Sequence, residues 1–144
     1  MTRIRASVEI HVPVEKVSAF VDDWRNFEKW YGGIYDFKPT TEMTTGNGAR
    51  FSYKVKQLGR EIECEAEAFD YVENRGSKWK AVKGPKSVDQ YELEPTAGGT
   101  RVTETVDYDV PPVLGSLMDV LFVKPALTRR MEKALQNLKR LLEG

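Results

Sequence analysis

The sequence is poor in the residues that mark export, metal binding and nucleophilic catalysis. Of its 144 residues one is a cysteine, Cys64, and one a histidine, His11. A single cysteine closes no intramolecular disulfide, so the framework that small exported domains rely on is missing. A lone histidine gives no two-histidine zinc site, and a nucleophile–base device would need a serine or cysteine and a carboxylate converging on it. No CxxC, HExxH or Gly-rich phosphate loop occurs. Charge of one sign is also lacking. The 22 Lys and Arg balance the 22 Asp and Glu, for a formal net charge of zero. That argues against nucleic-acid binding, which needs a basic surplus to displace counterions from phosphates, and against simple electrostatic docking on anionic lipid. The apolar run Val120-Leu121-Phe122-Val123 is far too short to span a bilayer. Met1 to Ile10 alternates charged and apolar residues, unlike a signal peptide. These absences lead to the expectation of a cytoplasmic protein, one domain over residues 1–144, with no nucleic-acid partner, transmembrane segment, metal or cofactor.

What is present is periodic. Ile4, Ala6, Val8, Ile10 and Val12 alternate with Arg5, Ser7, Glu9 and His11, which predicts a half-buried strand. After Pro13, the residues Val14, Val17, Phe20, Val21 and Trp24 recur at helical spacing. A second short helix carries Phe27 and Trp30 and stops at Gly32-Gly33. Turn residues at Gly46-Asn47-Gly48, Gly59, Asn74-Arg75-Gly76, Gly84-Pro85 and Ala97-Gly98-Gly99 divide the middle of the chain into strands near 35–42, 49–57, 60–73, 77–83, 87–94 and 100–110. Short connections make neighbouring strands antiparallel. After Pro111-Pro112 the apolar stripe Leu114, Leu117, Met118, Leu121, Met131, Leu135, Leu138, Leu142 predicts a long helix, with Arg129, Arg130, Lys133, Lys139 and Arg140 mostly on its other face. Pro125 predicts a kink or break near Lys124.

Charge fixes two registers. A two-residue turn at Leu58-Gly59 sets Lys56 against Glu61, Lys54 against Glu63 and Arg50 against Glu67, leaving Val55–Ile62, Tyr53–Cys64 and Phe51–Ala66 on the opposite face. The acidic run Glu61, Glu63, Glu65, Glu67 is then a solvated sheet face, not a metal site, because cation ligands must converge from several directions. In the last hairpin, Leu93 opposite Val102 brings Glu94 to Arg101 outside and Tyr91 to Glu104 inside, with Asp89 one inward step further along.

The strand Val8-Glu9-Ile10-His11-Val12, the following Pro13-Val14-Glu15-Lys16-Val17, the helix Phe27-Glu28-Lys29-Trp30 and the terminal Leu135, Leu138, Leu141 stripe resemble the SRPBCC superfamily over nearly the whole chain. Its members include START domains, birch-pollen-allergen-like proteins and polyketide cyclases. The resemblance implies an α+β helix-grip fold: a seven-stranded curved antiparallel sheet around a long C-terminal helix, with two short helices between strands 1 and 2. It also implies a deep apolar cavity between sheet and final helix, of the kind that takes lipids, sterols, quinones or polyketides. The superfamily shares no catalytic motif, so the fold does not choose an activity.

Strand parity supplies the candidate site. His11 falls on the outward parity, and Cys64, between Ile62 and Ala66, on the inward one, as a small apolar residue. Trp30, Phe51, Tyr53, Trp79, Tyr91, Glu104 and Tyr108, with Leu117 and Leu121 from the terminal segment, make up the expected cavity wall. The inward Asp89 and Glu104 speak for a cavity rather than a solid core, which rarely accepts unpaired carboxylates. Three functions remain open: a non-catalytic carrier of a hydrophobic or amphipathic molecule; a polyketide cyclase/dehydratase-like enzyme with Glu104 or Asp89 as acid–base and Tyr91 as hydrogen-bond donor; or a protein-interaction module such as a quinone chaperone. Glu104, oriented by Tyr91, is expected to titrate above its solution value of about 4.3 and to exchange a proton with a polar ligand atom. The segment 113–123 is apolar almost all round, broken by Ser116 and Asp119, where a surface helix shows one stripe. A cavity lid, a homodimer contact, a membrane-touching edge or a helix end covered by the loop after Gly32 would each account for it.

Overall fold

The computed structural model describes residues 1–57, 59–110 and 115–144, apart from the side chains of Gln57 and Ser116. Seven strands form one antiparallel sheet in the order β1-β7-β6-β5-β4-β3-β2: β1 (Thr2–Ile10), β2 (Ile34–Pro39), β3 (Arg50–Gln57), β4 (Arg60–Val72), β5 (Gly76–Lys83), β6 (Ser87–Thr96) and β7 (Gly99–Tyr108). Helix α1 (Val14–Asp22), a 3-10 turn (Trp24–Asn26) and α2 (Phe27–Trp30) connect β1 to β2. After β7 come α3 (Gly115–Met118), a π turn (Asp119–Val123) and the long α4 (Lys124–Glu143). This is the expected helix-grip architecture.

Both registers read from charge are present. Arg50, Lys54 and Lys56 stand opposite Glu67, Glu63 and Glu61, and Tyr53 and Phe51 opposite Cys64 and Ala66. Leu58 lies outside the described residues, but Gln57 pairs with Arg60, as a two-residue connection requires. The side chains are less literal than the register. Arg50 bonds Glu67 at 2.9 Å, whereas Lys54 reaches diagonally to Glu61 and across to Asp36, each at 3.3 Å. In the last hairpin Leu93, Glu94 and Tyr91 stand opposite Val102, Arg101 and Glu104.

The first strand stops at Ile10 rather than Val12 because the chain there is used differently. The His11 amide donates to the Glu143 carboxylate at 2.8 Å, and Thr100 Oγ1 donates to the Val12 carbonyl at 2.7 Å. Gly99 lies so near that a Cβ on it would meet the Ile10 carbonyl oxygen at 2.1 Å. Its φ of +155° is also one that L side chains rarely adopt, so the close approach and the dihedral both require glycine here.

The concave face of the sheet is covered unevenly. Helix α4 buries Met131, Ala134, Leu135 and Leu138. Ala134, Leu135 and Leu138 pack with Val8, Ile10, Leu93 and Val102, and Met131 with Ile4, Val106 and Tyr108. The β1–β7 side is therefore a solid core. Over β3 and β4 the smaller cluster of Ala49, Phe51 and Ala68, flanked by Trp24, Phe37 and Trp79, includes none of the described α4 residues.

The start of the terminal segment departs from the expected stripe. Leu117, Val120, Leu121 and Phe122 are each more than half exposed, so they neither wall a cavity nor lie under the loop after Gly32. Val113 and Leu114 fall outside the described residues. The π turn just ahead of Pro125 adds residues to the helical repeat, rotating the Leu117–Leu121 row out of phase with the stripe of α4. One side chain anchors the segment. Asp119, 3% exposed, accepts hydrogen bonds from Thr2 Oγ1 at 2.7 Å and the Tyr108 hydroxyl at 2.6 Å. Replacing Tyr108 with Phe removes a buried bond to a carboxylate. It is expected to cost about 1–3 kcal/mol in urea unfolding. Amide exchange in residues 115–123 should quicken while α4 beyond Met131 stays protected. Unchanged exchange in the segment would show that Asp119 is not its anchor.

Candidate ligand-binding site

The hollow of the sheet lies where small residues face inward. On β4, Ala66 and Ala68 point into the concave face, where longer side chains would fill it. They floor a partly open pocket with a cavity volume of about 100 Å³. Phe51 and Tyr53 of β3, Trp79 of β5 and Tyr91 of β6 form the sheet side. Val21, Trp24, Phe27 and Trp30 from the short helices close over it. The aromatic rings support one another: Phe37 stacks on Phe51 at 4.8 Å between centroids, and Trp30 meets Tyr91 edge-on at 6.0 Å.

Two carboxyls belong to this wall. Asp22, at the end of α1, accepts the Tyr71 hydroxyl at 2.7 Å and the Ser18 hydroxyl at 3.4 Å. Burial raises its pKa, and these two donors oppose the rise. Asp89, on β6, is half-buried and reached from the pocket, and it has no hydrogen-bond or ion-pair partner among the described residues. Burial pushes its pKa up to about 7, against the pull of the Arg130 charge.

Glu104 stands one layer behind. It is fully buried and does not line the pocket; Tyr31 donates to its carboxyl at 3.0 and 3.3 Å. Burial, then the charge of Asp89, pushes Glu104 up to about 8, while hydrogen bonds from Tyr31 and Tyr91 and the charge of Arg130 act the other way. The shift has the expected direction, but Glu104 is not the carboxyl that lines the pocket. Asp89 and Tyr91 face the pocket, and Glu104 supports them from inside the sheet. The two carboxyls interact strongly, so their protons leave in steps that belong to the pair.

Of the other expected wall residues, Trp30, Phe51, Tyr53, Trp79 and Tyr91 line the pocket. Tyr108 does not: it packs with Ile4, Val106 and Met131 and holds Asp119. Leu117 and Leu121 face outward. The cavity expected between sheet and C-terminal helix also differs in place, since no α4 residue lines this pocket and the short helices cover it instead. His11 is exposed and Cys64 buried, with burial pushing the thiol pKa up. Among the described residues no group of three or more His, Cys, Asp or Glu could hold a metal ion. No helix there is long and apolar enough to cross a membrane.

Three contributors escaped the sequence reading. Tyr31 follows Trp30 directly and is 4% exposed. Asp22 lies four residues after Ser18 on a helix otherwise read for its apolar face. Arg130, assigned to the polar face of α4, precedes Ala134 and Leu138 by four and eight residues, a spacing that puts it on the buried stripe. Its Nε is buried without a hydrogen-bond partner among the described residues, and its side chain passes 3.1 Å from the place a Cβ on Gly33 would occupy. At a φ of +83°, Gly33 both suits the left-handed turn after α2 and clears that path.

The raised carboxyls make stability depend on pH. The folded chain holds these protons more tightly than the unfolded one. The stability tied to them is therefore fully present below about pH 4, the ordinary carboxylate range, and is lost as pH rises towards 8. Glu104→Gln, which keeps an acceptor for Tyr31, is expected to flatten that decline by a few kcal/mol. Urea unfolding of parent and variant at pH 5 and pH 8.5 measures it, and equal slopes would refute the assignment.

Comparison with known proteins agrees with the fold. The profile of the family described as polyketide cyclase/dehydrase and lipid transport matches residues 1–143. A search of curated protein sequences returns no significant match. Among solved structures, TTHA0849 from Thermus thermophilus superposes with a TM-score of 0.83 at 19% identity, covering 98% of this chain and 97% of that one. A START superfamily protein from Mycobacterium smegmatis gives 0.78 at 16%, covering 98% and 97%. The di-domain ARO/CYC StfQ from the steffimycin biosynthetic pathway gives 0.80 at 11%, covering 98% of this chain and 50% of that two-domain protein. At such identities these structures share the fold alone, while the profile match over almost the full length decides the family: the chain belongs to the polyketide cyclase/dehydrase and lipid transport family of the SRPBCC superfamily.

Proposed function

We propose that the protein binds a compact, largely apolar small molecule in the pocket over β3–β6, with Asp89 and Tyr91 meeting its polar atom. The observation that carries this reading is the aromatic-walled hollow with an unpartnered carboxyl in its wall. A core built for stability alone would fill the space above Ala66 and Ala68 and pair or remove Asp89. A cavity volume of about 100 Å³ suits a compact ring system better than an extended acyl chain. Carriage and catalysis both begin with this binding. One feature favours a catalytic second reading: Asp89 lines the pocket without a partner among the described residues, and burial raises its pKa, so it is placed to take and return a proton.

Native mass spectrometry of freshly purified protein should show a bound aromatic or alicyclic molecule, and apolar fluorophores should compete for the same place. Ala66→Leu is expected to fill the pocket, lower fluorophore affinity at least tenfold and leave the unfolding free energy within about 1–2 kcal/mol of the parent. If no ligand co-purifies and no fluorophore binds, or if Ala66→Leu binds as the parent does, the proposal fails. Turnover of a poly-β-keto substrate that disappears in Asp89→Asn would place the protein with the enzymes rather than the carriers.

A further inference from the structure

Charge is unevenly distributed around the pocket. Its ionisable wall residues are the carboxyls Asp22 and Asp89 and the phenols Tyr53, Tyr71 and Tyr91; among the described lining residues none is lysine, arginine or histidine. Behind Asp89, Glu104 adds a third carboxyl, and Arg130 of α4 is the basic group that offsets the pair. Asp22 already accepts two hydroxyls, whereas Asp89 faces the hollow without a donor. All three tryptophans of the chain, Trp24, Trp30 and Trp79, stand in the same wall.

We propose that the pocket selects its ligand by charge, accepting molecules whose polar end is a protonated amine and turning away those that end in a carboxylate or phosphate. This rests on the binding function proposed above. An anionic end would meet the negative charge that Asp89 and Glu104 share, where low polarity strengthens repulsion; Arg130 already answers that charge from behind, and among the described lining residues no cation faces the ligand. A protonated amine supplies the donor that Asp89 lacks, in a charge-assisted bond. It also gains from the electron-rich faces of the surrounding rings. A neutral alcohol can donate to Asp89 but brings no charge, so it falls between the two.

Three single-ring probes of similar size test this: 2-phenylethylamine, 2-phenylethanol and 3-phenylpropionate, titrated by calorimetry at pH 7.5. The indole N–H resonances of Trp24, Trp30 and Trp79 report whether each probe enters the pocket. The amine is expected to bind at least tenfold more tightly than the carboxylate, with the alcohol between. In the double variant Asp22→Asn/Asp89→Asn, whose folding is checked by circular dichroism, the three affinities should draw within about threefold. A carboxylate that binds the parent as tightly as the amine overturns the proposal, as does an amine preference that survives the folded double variant. If apolar fluorophores bind but the amine shows no advantage, charge selection alone is wrong. If neither fluorophores nor probes bind, the binding function itself is wrong.

Discussion

The hydrogen bond from Tyr31 to Glu104 ties the short helices to the middle of the sheet. Glu104 lies in β7, between β1 and β6, with its carboxyl on the concave side and no exposure. An isolated carboxylate there would cost several kcal/mol in desolvation. Tyr31 answers it from the residue that ends α2, Tyr91 from the facing strand and Arg130 by charge from α4. Three separate pieces of chain must therefore close around one side chain. The placement of α2 over the sheet, which makes the roof of the pocket, follows from that demand.

The same constraint explains why the pocket lies to one side. Helix α4 packs its Ala134, Leu135 and Leu138 stripe on β1 and β7, using up that half of the concave face. On the other half, the inward residues of β4 are Cys64, Ala66 and Ala68, too short to reach the short helices. The aromatic side chains that bridge this gap meet edge to face and stack, yet rigid rings on a curved sheet do not tile it completely. The hollow is thus the difference between a small inner face on β4 and a helix committed elsewhere.

The fold and the strand registers were legible because they rest on periods and on opposite charges set at fixed intervals. Arg50–Glu67 and Glu94–Arg101 name their partners in the sequence, and a slip of one residue would turn every inward ring outward. Parity likewise placed Asp89, Tyr91 and Glu104 on the inner face. It could not say which of them meets the cavity, because depth depends on packing from other elements. Tyr31 follows a helix of one turn, too short to show a face, and Asp22 lies beside the apolar stripe by which α1 is read. The Leu117 and Leu121 assignment failed for a different reason: the π turn breaks the period that was extrapolated through it. Arg130 was misplaced because its charge was weighed above its spacing, although the spacing was correct.

Local consistency holds almost everywhere else in the chain, which gives the exceptions their meaning. Alternation, turn glycines and cross-strand ion pairs agree with one another along β1, β3, β4, β6 and β7. Some departures lie elsewhere, at the buried Asp119 and the exposed Leu117, Val120, Leu121 and Phe122, but three lie together: a hollow that forgoes dispersion contacts, a pocket carboxyl without a partner among the described residues, and a second carboxyl buried behind it. Each of these lowers stability relative to a plain apolar alternative, and all three meet at one place between β3 and β7. Departures that arose for unrelated reasons would be scattered. Their convergence on a single aromatic-lined opening is the physical reason for placing function there, rather than at the lone histidine, the buried cysteine or the acidic outer face.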